Sequence, residues 1–326
     1  MILAGDIGGT KTILALFRAN DSKPRQIYQF KSKDFSDFSI LIDKFLATTK
    51  PVNISSACFG IAGAVIDGRC QATNLPWQIS TLNLSKQLDT DNIYLLNDLE
   101  ATAHGMLVLS DDDFYTLQHQ SQNYLGNKAV IAAGTGLGEA ILFKNQDSFH
   151  PSASEGGHTD FAPASKVQDD LLVYLRQHYG LHVSYERVLS GPGIYMLYQF
   201  LKQTYHIETA LDFALFDQDI DKSAIISEYA IKHNDLLCVK TMNLFAQIYG
   251  QEAGNLALNA LSTGGLYIGG GIAPKIMPFL TDGTFLNAFL NKGRFVKLLK
   301  NIDIKISLNE NTALLGAMQF AKDKTI

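Results

Sequence analysis

Two short glycine turns have the composition that phosphate binding requires. Gly8-Gly9-Thr10 and Gly134-Thr135-Gly136 each combine glycines with a threonine hydroxyl. Glycine lets backbone N–H groups converge without an intervening side chain, and converging N–H groups bind anions. Each turn taken alone is more often an ordinary hairpin, and neither belongs to a GxxxxGKS/T or GxGxxG motif. Both interpretations therefore stay open for each turn.

Carboxylates stand beside the first turn and at the end of a later apolar run. Asp6 lies two residues before Gly8-Gly9, where a carboxylate can hold a hydrated Mg²⁺ that bridges phosphates. Asn97 and Asp98 follow a short strand-like run and open a helical pattern, with Glu100 at the position of a capping box. Capping is the simpler interpretation of Asn97. A capped helix start would also hold Asp98 rigidly, and its carboxylate could accept the proton of an attacking hydroxyl.

A third set of polar side chains lies between residues 155 and 186. Glu155 and His158 have the Glu-x-x-His spacing that on a helix would indicate a metal site. The intervening Gly156-Gly157 favours a loop, in which one carboxylate and one imidazole are better suited to hydrogen-bonding adjacent hydroxyls, as on a sugar. Glu186 could add an acceptor, or it could form a surface ion pair with Arg187 or a neighbouring residue.

The last glycine cluster has two open interpretations. Gly264-Gly265 and Gly269-Gly270-Gly271 place five glycines within eight residues. Such density costs backbone entropy, which favours close approach by a flat ligand or by another segment of backbone. The alternative is a helix stop followed by a tight turn before Pro274.

The apolar pattern around the two turns repeats. Residues 2–7 and 12–17 predict strands joined by the first turn, and residues 129–133 and 140–143 predict the same arrangement around the second. This repetition suggests a duplicated α/β architecture that holds a ligand between its halves. Apolar spacing of three and four residues predicts helices, which we place at residues 35–47, 99–109 and 238–260.

Composition and charge exclude several protein classes. The 326 residues, 46% apolar and 18% charged, favour a globular chain of about two domains. A net charge of −5 argues against a surface built for nucleic acid, and no apolar run approaches the ~18 residues of a membrane helix. The N-terminus lacks the basic region of a signal peptide. Cys58, Cys70 and Cys238 are predicted to be buried free thiols, so we expect a cytoplasmic protein that binds neither nucleic acid nor membrane.

Taken in order, these segments resemble those of the bacterial glucokinases, a family of the sugar kinase/heat-shock cognate/actin ATPase superfamily. The Glu-Gly-Gly-His and Glu-Arg-Val-Leu-Ser-Gly-Pro-Gly segments are the specific ones, whereas the glycine turns fit any member of the superfamily. The resemblance covers nearly the whole chain. The matching segments are Gly5–Thr10, Thr73–Trp77, Asn97-Asp98, Gly134–Gly138, Glu155–Pro163, Glu186–Gly193, Gly264-Gly265 and Leu314–Ala317.

The resemblance implies a role for each matching position. Asp98 would be the general base on the 6-hydroxyl of the sugar. The residues implied to bind the sugar are Asn74, Asn97, Glu155, His158 and Glu186. Those implied to bind ATP are Asp6, Gly8, Gly9, Thr10, Lys11, Thr135, Gly136, Gly264 and Gly265. Within that set Asp6 would face Mg²⁺ through water, and Gly264-Gly265 would face the adenosine.

The resemblance also implies the architecture. The expected fold is α/β, with two ribonuclease-H-like (actin-like ATPase) domains and an interdomain cleft. The smaller domain would comprise residues 1–109 plus 308–326, with the C-terminal helix returning to it, and the larger domain residues 110–307. Glucose, ATP and Mg²⁺ are the implied ligands, and the family is often homodimeric.

One departure concerns Lys11. The Gly-Gly-Thr-Lys run is more typical of the related repressor/kinase family known as ROK, whereas many glucokinases of this group carry Asn after Gly-Gly-Thr. The ROK family has a cysteine-rich zinc motif after its Glu-x-Gly-His segment, and this sequence has no cysteine between Cys70 and Cys238. We therefore expect the glucokinase group. Lys11 lies either near phosphate or on the surface of the hairpin.

The expected activity is transfer of the γ-phosphoryl group of ATP to the 6-hydroxyl of D-glucose, the entry step of glycolysis, in a cleft that closes to exclude water. A kinase for another hexose or an amino sugar is the nearest alternative. A sugar-sensing repressor on the same fold would need a DNA-binding module ahead of residue 5, for which this sequence has no room. A chaperone or filament protein is disfavoured by the sugar-type residues between 155 and 186.

Overall fold

The computed structural model of this chain describes residues 1–19, 21, 23–49, 53–120, 125–217 and 220–325. They form two compact units. Unit 1 comprises Met1–Phe114, Pro151–Ala153 and Asn309–Ile326, and unit 2 comprises Tyr115–His150 and Ser154–Leu308.

Unit 1 begins with a sheet and three helices. The strands are β1 (Ile2–Ile7), β2 (Lys11–Phe17), β3 (Gln26–Lys31), β4 (Ser56–Ile61), β5 (Val65–Ile66), β6 (Arg69–Gln71), β7 (Gln78–Ser80) and β8 (Ile93–Asn97), and the helices are α1 (Phe38–Thr48), α2 (Thr81–Leu88) and α3 (Asp98–Met106). The main sheet has the order β3-β2-β1-β4-β8, and β5, β6 and β7 form a small separate sheet. β1 pairs antiparallel with β2 and parallel with β4.

The next elements build the other large sheet and its helices. The strands are β9 (Phe114–Gln118), β10 (Lys128–Ala133), β11 (Leu137–Asn145), β12 (Ser148–Ser154), β13 (Leu266–Gly269) and β14 (Ile304–Ser307), and the helices are α4 (Lys166–Tyr179), α5 (Gly191–Tyr205), α6 (Lys222–Lys232), α7 (Leu236–Asn259), α8 (Met277–Thr281), α9 (Thr284–Leu290) and α10 (Val296–Leu299). The strand order is β12-β11-β10-β13-β14-β9. β10 pairs antiparallel with β11 and parallel with β13.

The two sheets share one arrangement around their central strands, which is the repetition that the sequence predicts. In unit 1 the last pair before the turn joins Ile7 to Thr12. In unit 2 the corresponding pair joins Ala133 to Leu137. The order 3-2-1-4-5, with strands 1, 2 and 3 antiparallel and strands 1, 4 and 5 parallel, therefore describes both sheets over their first five strands.

The last helix, α11 (Thr312–Asp323), completes the core of unit 1. It packs so closely on α3 that a side chain at Gly316 would meet the backbone of Ala101 and Gly105. Leu314 and Ala317 of α11 join Ile2 of β1 in one buried cluster. The N-terminal strands of unit 1 are thus covered by residues from the far end of the chain.

The predicted boundaries of all three helices differ from the structure by one to three residues, and side-chain caps explain where the helices begin. α1 begins at Phe38 and not at Phe35, because the carboxylate of Asp37 caps it by accepting a hydrogen bond from the Ser39 N–H. α3 begins at Asp98 under an Asn97 cap and ends at Met106. The long helix α7 begins at Leu236, under an Asp235 cap, and ends one residue before the predicted Ala260.

The cysteines are buried free thiols, as predicted: Cys58, Cys70 and Cys238 all lie in the interior. Among the described helices, none combines the length and the apolar character that crossing a bilayer requires.

Candidate active site

The first glycine turn follows β1 and is held by a serine. The Gly8 N–H donates to the Lys11 carbonyl at 3.0 Å, which closes the turn. The Ser32 hydroxyl donates to the Gly8 carbonyl at 2.6 Å, and the Ser32 N–H donates to the Thr10 carbonyl at 3.1 Å. Gly8 and Gly9 are half-buried, whereas Thr10 and Lys11 are exposed. The turn is therefore rigid at its base and open at its tip.

Asn74 lies against this turn. A side-chain carbon built on Gly9 would stand 2.7 Å from Cβ of Asn74, so glycine is needed there for the close approach. The segment is anchored by Trp77, which is fully buried and whose indole N–H donates to the Phe35 carbonyl at 3.0 Å. The structure thus brings one predicted sugar-binding residue beside the predicted phosphate turn of unit 1.

Asp6, next to the last residue of β1, is a carboxylate whose burial disfavours its charged form. Burial raises its pKa to about 6, and the positive charge of Lys11 partly opposes that shift. Mg²⁺ usually keeps several waters and uses one or two carboxylates together with substrate phosphates. Among the described residues, no group of three or more His, Cys, Asp or Glu side chains could hold a metal ion. Asp6 therefore fits a Mg²⁺ shared with phosphates, and not an all-protein metal site.

Asn97 and Asp98 form the capped start of α3, which follows β8. Asn97 Oδ1 accepts from the Leu99 N–H at 2.8 Å, and its amide donates to the Gly63 carbonyl at 3.2 Å. Asp98 Oδ1 also accepts from the Leu99 N–H at 2.8 Å. Glu100 accepts a hydrogen bond from the backbone of Asn97, while burial raises its pKa. The predicted cap is confirmed, and it fixes the backbone that carries Asp98.

The surroundings of Asp98 include the small sheet of unit 1. The pKa of the Cys70 thiol on β6 is raised, mainly by burial and secondarily by the negative charge of Asp98. α3 also sits tightly on β4, because a side chain at Gly60 would come within 2.8 Å of Ala101 Cβ. Asp98 is thus half-buried at a fixed position, a setting in which a carboxylate can take a proton from a bound hydroxyl.

The second glycine turn, in unit 2, is braced by the predicted sugar-binding residue Glu186. The Gly134 N–H donates to the Gly136 carbonyl at 2.8 Å, and the Gly191 N–H donates to the Gly134 carbonyl at 2.9 Å. Glu186 Oε2 accepts from the Leu137 N–H at 3.0 Å and occupies the place that a side chain on Gly136 would need. Thr135 at the tip is exposed.

Glu155, His158 and Glu186 form one cluster. His158 Nδ1 lies 3.6 Å from Glu155 Oε2, and His158 Nε2 lies 3.8 Å from Glu186 Oε1. Gly156–His158 is a single 3-10 turn, as the glycines between Glu155 and His158 predict, and not part of an α-helix. The Glu155 and His158 side chains are 76% and 58% exposed, so they can reach a ligand. Two acceptors flanking an imidazole suit neighbouring hydroxyl groups.

Of the ion-pair partners considered for Glu186, Arg187 is not the one that the structure places beside it. Glu186 faces Leu137 and His158, whereas the Arg187 guanidinium lies over the Tyr179 ring at 4.5 Å from its centroid. Glu186 therefore links the second turn to the Glu155–His158 segment.

Gly264-Gly265 does not lie near the second turn. The prediction that these two glycines face the adenosine of ATP therefore needs correction. The Gly264 N–H donates to the Asn127 carbonyl at 2.9 Å, just before β10 begins. β10 and β13 run parallel, so Gly264-Gly265 lies at the starting edge of these strands. Gly134–Gly136 lies at their carboxyl edge.

Gly269-Gly270-Gly271, in contrast, lies where β13 ends, beside the end of β10. The Ile272 N–H donates to the Ala133 carbonyl at 3.3 Å. Gly270 has a φ of 82°, and a side chain there would collide with the backbone of Ala133. The sequence signal that could have identified this cluster is its place directly after a buried strand, because ligands of such sheets bind at the carboxyl ends of the strands.

Comparisons with known proteins agree on one family. The glucokinase family model matches residues 3–324. A curated glucokinase of Synechocystis sp. is 40% identical, over 97% of this chain and 96% of its own length. The crystal structure of a glucokinase from an Antarctic psychrotroph has a TM-score of 0.85 and 30% identity, covering 99% of this chain and 98% of that chain.

The fold prediction is confirmed by the same structural likeness. A glucokinase from Balamuthia mandrillaris, solved in complex with glucose, has a TM-score of 0.82 at 24% identity over 98% of this chain and 93% of that chain. These neighbours have the actin-like ATPase fold that the sequence predicts. Family model, sequence relatives and solved structures all match along nearly the full length, and the chain belongs to the glucokinase family.

Proposed function

We propose that this glucokinase-family enzyme transfers the γ-phosphoryl group of ATP to the 6-hydroxyl of D-glucose, in the cytoplasm and at the entry to glycolysis. The observation that carries the proposal is the position of Glu186. One of its oxygens accepts from Leu137 at the second glycine turn, and the other faces His158. A single carboxylate therefore couples a predicted phosphate turn to a predicted sugar-binding segment, which is the arrangement a sugar kinase needs.

Sugar binding is assigned to five polar side chains. Glu155, His158 and Glu186 would hold hydroxyls away from the reacting one, while Asn74 and Asn97 would hold the sugar near the reacting one. Asp98 would accept the proton of the 6-hydroxyl as that oxygen attacks the γ-phosphorus, so that ADP leaves and glucose 6-phosphate forms. Proton acceptance by a positioned carboxylate typically contributes ~10²–10⁴-fold to the rate. The capped start of α3 supports Asp98 in this role.

Nucleotide binding is assigned to the two glycine turns and to the end of β13. Gly8, Gly9, Thr10 and Lys11 would contact phosphates from unit 1, and Thr135 and Gly136 would contact them from unit 2. We assign the adenosine to Gly269-Gly270-Gly271 in place of Gly264-Gly265. Asp6 would hold Mg²⁺ through water, and the ion would neutralise charge that develops on the phosphates.

The test is a panel of hexoses and amino sugars at fixed Mg-ATP, with ADP release as the readout and a sugar-free reaction as control. We expect kcat/KM to be highest for glucose. Absence of sugar-dependent ADP release would overturn the proposal. A higher kcat/KM for another hexose or an amino sugar would keep the kinase and replace its substrate.

A further inference from the structure

β11 carries a buried glutamate at a position where unit 1 has a leucine. Counting from the turn, the third pair is Gly5 with Leu14 in unit 1 and Ile131 with Glu139 in unit 2. Glu139 is only 4% exposed, and so is Glu252, which reaches it from α7. Burying a carboxylate is costly unless it is paired or neutralised, so two of them side by side require an explanation.

The two carboxyl groups lie within hydrogen-bonding reach of each other. No donor among the described residues reaches Glu139 Oε1. Glu252 Oε2 accepts from the Asn255 amide at 2.8 Å, and the same amide donates to the Tyr185 hydroxyl oxygen at 3.0 Å. A hydrogen bond between two carboxyl groups needs a proton on one of them, because two carboxylates have no donor to share.

The charges around the pair favour one retained proton. Burial, followed by the charge of Glu252, raises the pKa of Glu139, and burial also raises the pKa of Glu252. The other titratable groups that face the pair are Tyr185, Tyr249 of α7 and Lys292, which follows α9. Lys292 donates to Asn255 Oδ1, so its positive charge acts on Glu252 through one intervening amide.

The pair lies directly beneath the sugar-binding segment. The Ser154 hydroxyl donates to the Glu139 carbonyl at 3.0 Å, and a side chain on Gly156 would collide with the Glu139 carboxyl group. Tyr185, whose hydroxyl shares the Asn255 amide with Glu252, immediately precedes Glu186. The Glu139 carboxyl group thus supports the base of the Glu155–His158 turn, and Glu252 supports the turn that presents Glu186.

We propose that Glu139 and Glu252, sharing one proton, position the Glu155–His158 segment and Glu186 for the sugar. Loss of that proton leaves two buried negative charges that repel each other. Because the Glu139 carboxyl group lies against Gly156, its displacement shifts the segment and weakens glucose binding. Both glutamates are positioning residues, since neither is placed in contact with substrate. The inference rests on the glucose site proposed above.

The experiment measures kcat and the KM for glucose at saturating Mg-ATP from about pH 7 to about pH 9.5. Equilibrium dialysis with labelled glucose at the same pH values gives the Kd without turnover. Wild type is compared with Glu139→Gln, whose amide can donate permanently to Glu252, and with Glu208→Gln, which removes an exposed carboxylate of the same unit. We expect the wild-type KM and Kd to rise by about tenfold with pH while kcat changes less. The Glu208→Gln profile follows wild type, and the Glu139→Gln profile is flat.

The possible outcomes distinguish failure of the positioning role from failure of the proposed function. A wild-type KM and Kd that do not rise with pH, or a rise equally large in Glu139→Gln, would overturn the positioning role while leaving the kinase intact. Absence of glucose-dependent ADP release in wild type would instead overturn the proposed function. If Glu139→Gln does not fold, Glu252→Gln, which places the donating amide on α7, serves as the second variant. A pH-dependent rise that persists in Glu252→Gln counts against the proposal.

Discussion

The strand–turn–strand segments of the two units share a backbone and differ in where their acids lie. Asp6, one position before the first turn, corresponds by register to the apolar Ala132 in unit 2. Glu139 of unit 2 corresponds in turn to Leu14, which is fully buried in unit 1. The acid of unit 1 therefore stands beside the turn, and the acid of unit 2 points into the interior. Under the proposals above, the same scaffold holds a ligand-binding acid in one copy and an acid that supports a neighbouring loop in the other.

The two glycine turns also differ in the side chain that supports each of them. The first turn is held from below by the Ser32 hydroxyl. The second is held by Glu186, a residue that also belongs to the predicted sugar-binding cluster. A change in the second turn should therefore reach the sugar, whereas a change in the first should act on phosphate and metal.

The largest expected effect concerns the proton acceptor, which the proposal places in unit 1 alone. Asp98→Asn should lower kcat by ~10²–10⁴-fold, because the amide cannot accept the hydroxyl proton. It should change glucose affinity little, because the amide still hydrogen-bonds a hydroxyl. Steady-state kinetics and isothermal titration calorimetry with glucose measure the two quantities. Asp112→Asn, at an exposed position of the same unit, is the control. Near-normal turnover in Asp98→Asn would remove it as the base.

The next effect tests the acid beside the first turn. Asp6→Asn should raise the free energy of unfolding of the ligand-free protein by about 1–3 kcal/mol at neutral pH, since the substitution removes a poorly solvated charge. The same variant should lose most of its kcat/KM for Mg-ATP. Urea denaturation and kinetics check the two halves. Ala132→Asp, at the corresponding position of unit 2, should destabilise the protein. A destabilised Asp6→Asn would mean that the carboxylate is structural.

A smaller effect separates the two ends of the second turn. A side chain at Gly136 would displace Glu186 Oε2, whereas one at Gly134 would meet nothing within 4 Å. Gly136→Ala should therefore raise the KM for glucose by about tenfold, which corresponds to about 1.4 kcal/mol of lost binding. Gly134→Ala should leave that KM unchanged. Equal KM values in the two variants would break the link between the second turn and the sugar.

The smallest effect is in the pH dependence of stability. The folded protein keeps the Asp6 proton up to about pH 6, whereas the unfolded chain loses it near its ordinary value of about 4. The folded state binds more protons between these values, so the contribution of Asp6 to stability falls as the pH rises through that window. Denaturation in EDTA at about pH 5 and about pH 6 should show a drop of up to about 1 kcal/mol in wild type relative to Asp6→Asn. Parallel curves would contradict the raised pKa.

Much of this site could be predicted because local chemistry encodes it. The apolar runs around Gly8-Gly9 and Gly134–Gly136 predict the hairpins. Asn97 followed by Glu100 predicts the helix start, and Gly156-Gly157 correctly excludes an α-helix between Glu155 and His158. Each of these features depends on residues within about four positions of one another, the range over which turns and caps are decided.

Features that depend on distant residues could not be predicted in the same way. The position of Gly264-Gly265 at the starting edge of β13 follows from strand direction, which the glycine spacing does not encode. Glu139 and Glu252 come together only because α7 packs against the sheet that contains β11. The sequence neighbours of Glu139 in β11 are uncharged, and nothing in that pattern indicates that a second glutamate faces it.

The return of α11 to unit 1 has a consequence for the order in which the protein is made. Unit 2 consists mainly of residues 115–308, all of which are translated before α11. The buried cluster around Ile2 stays incomplete until Leu314 and Ala317 reach it. The part of the chain that is synthesised first therefore finishes folding last. Until α11 is added, these strands expose apolar surface, which favours aggregation.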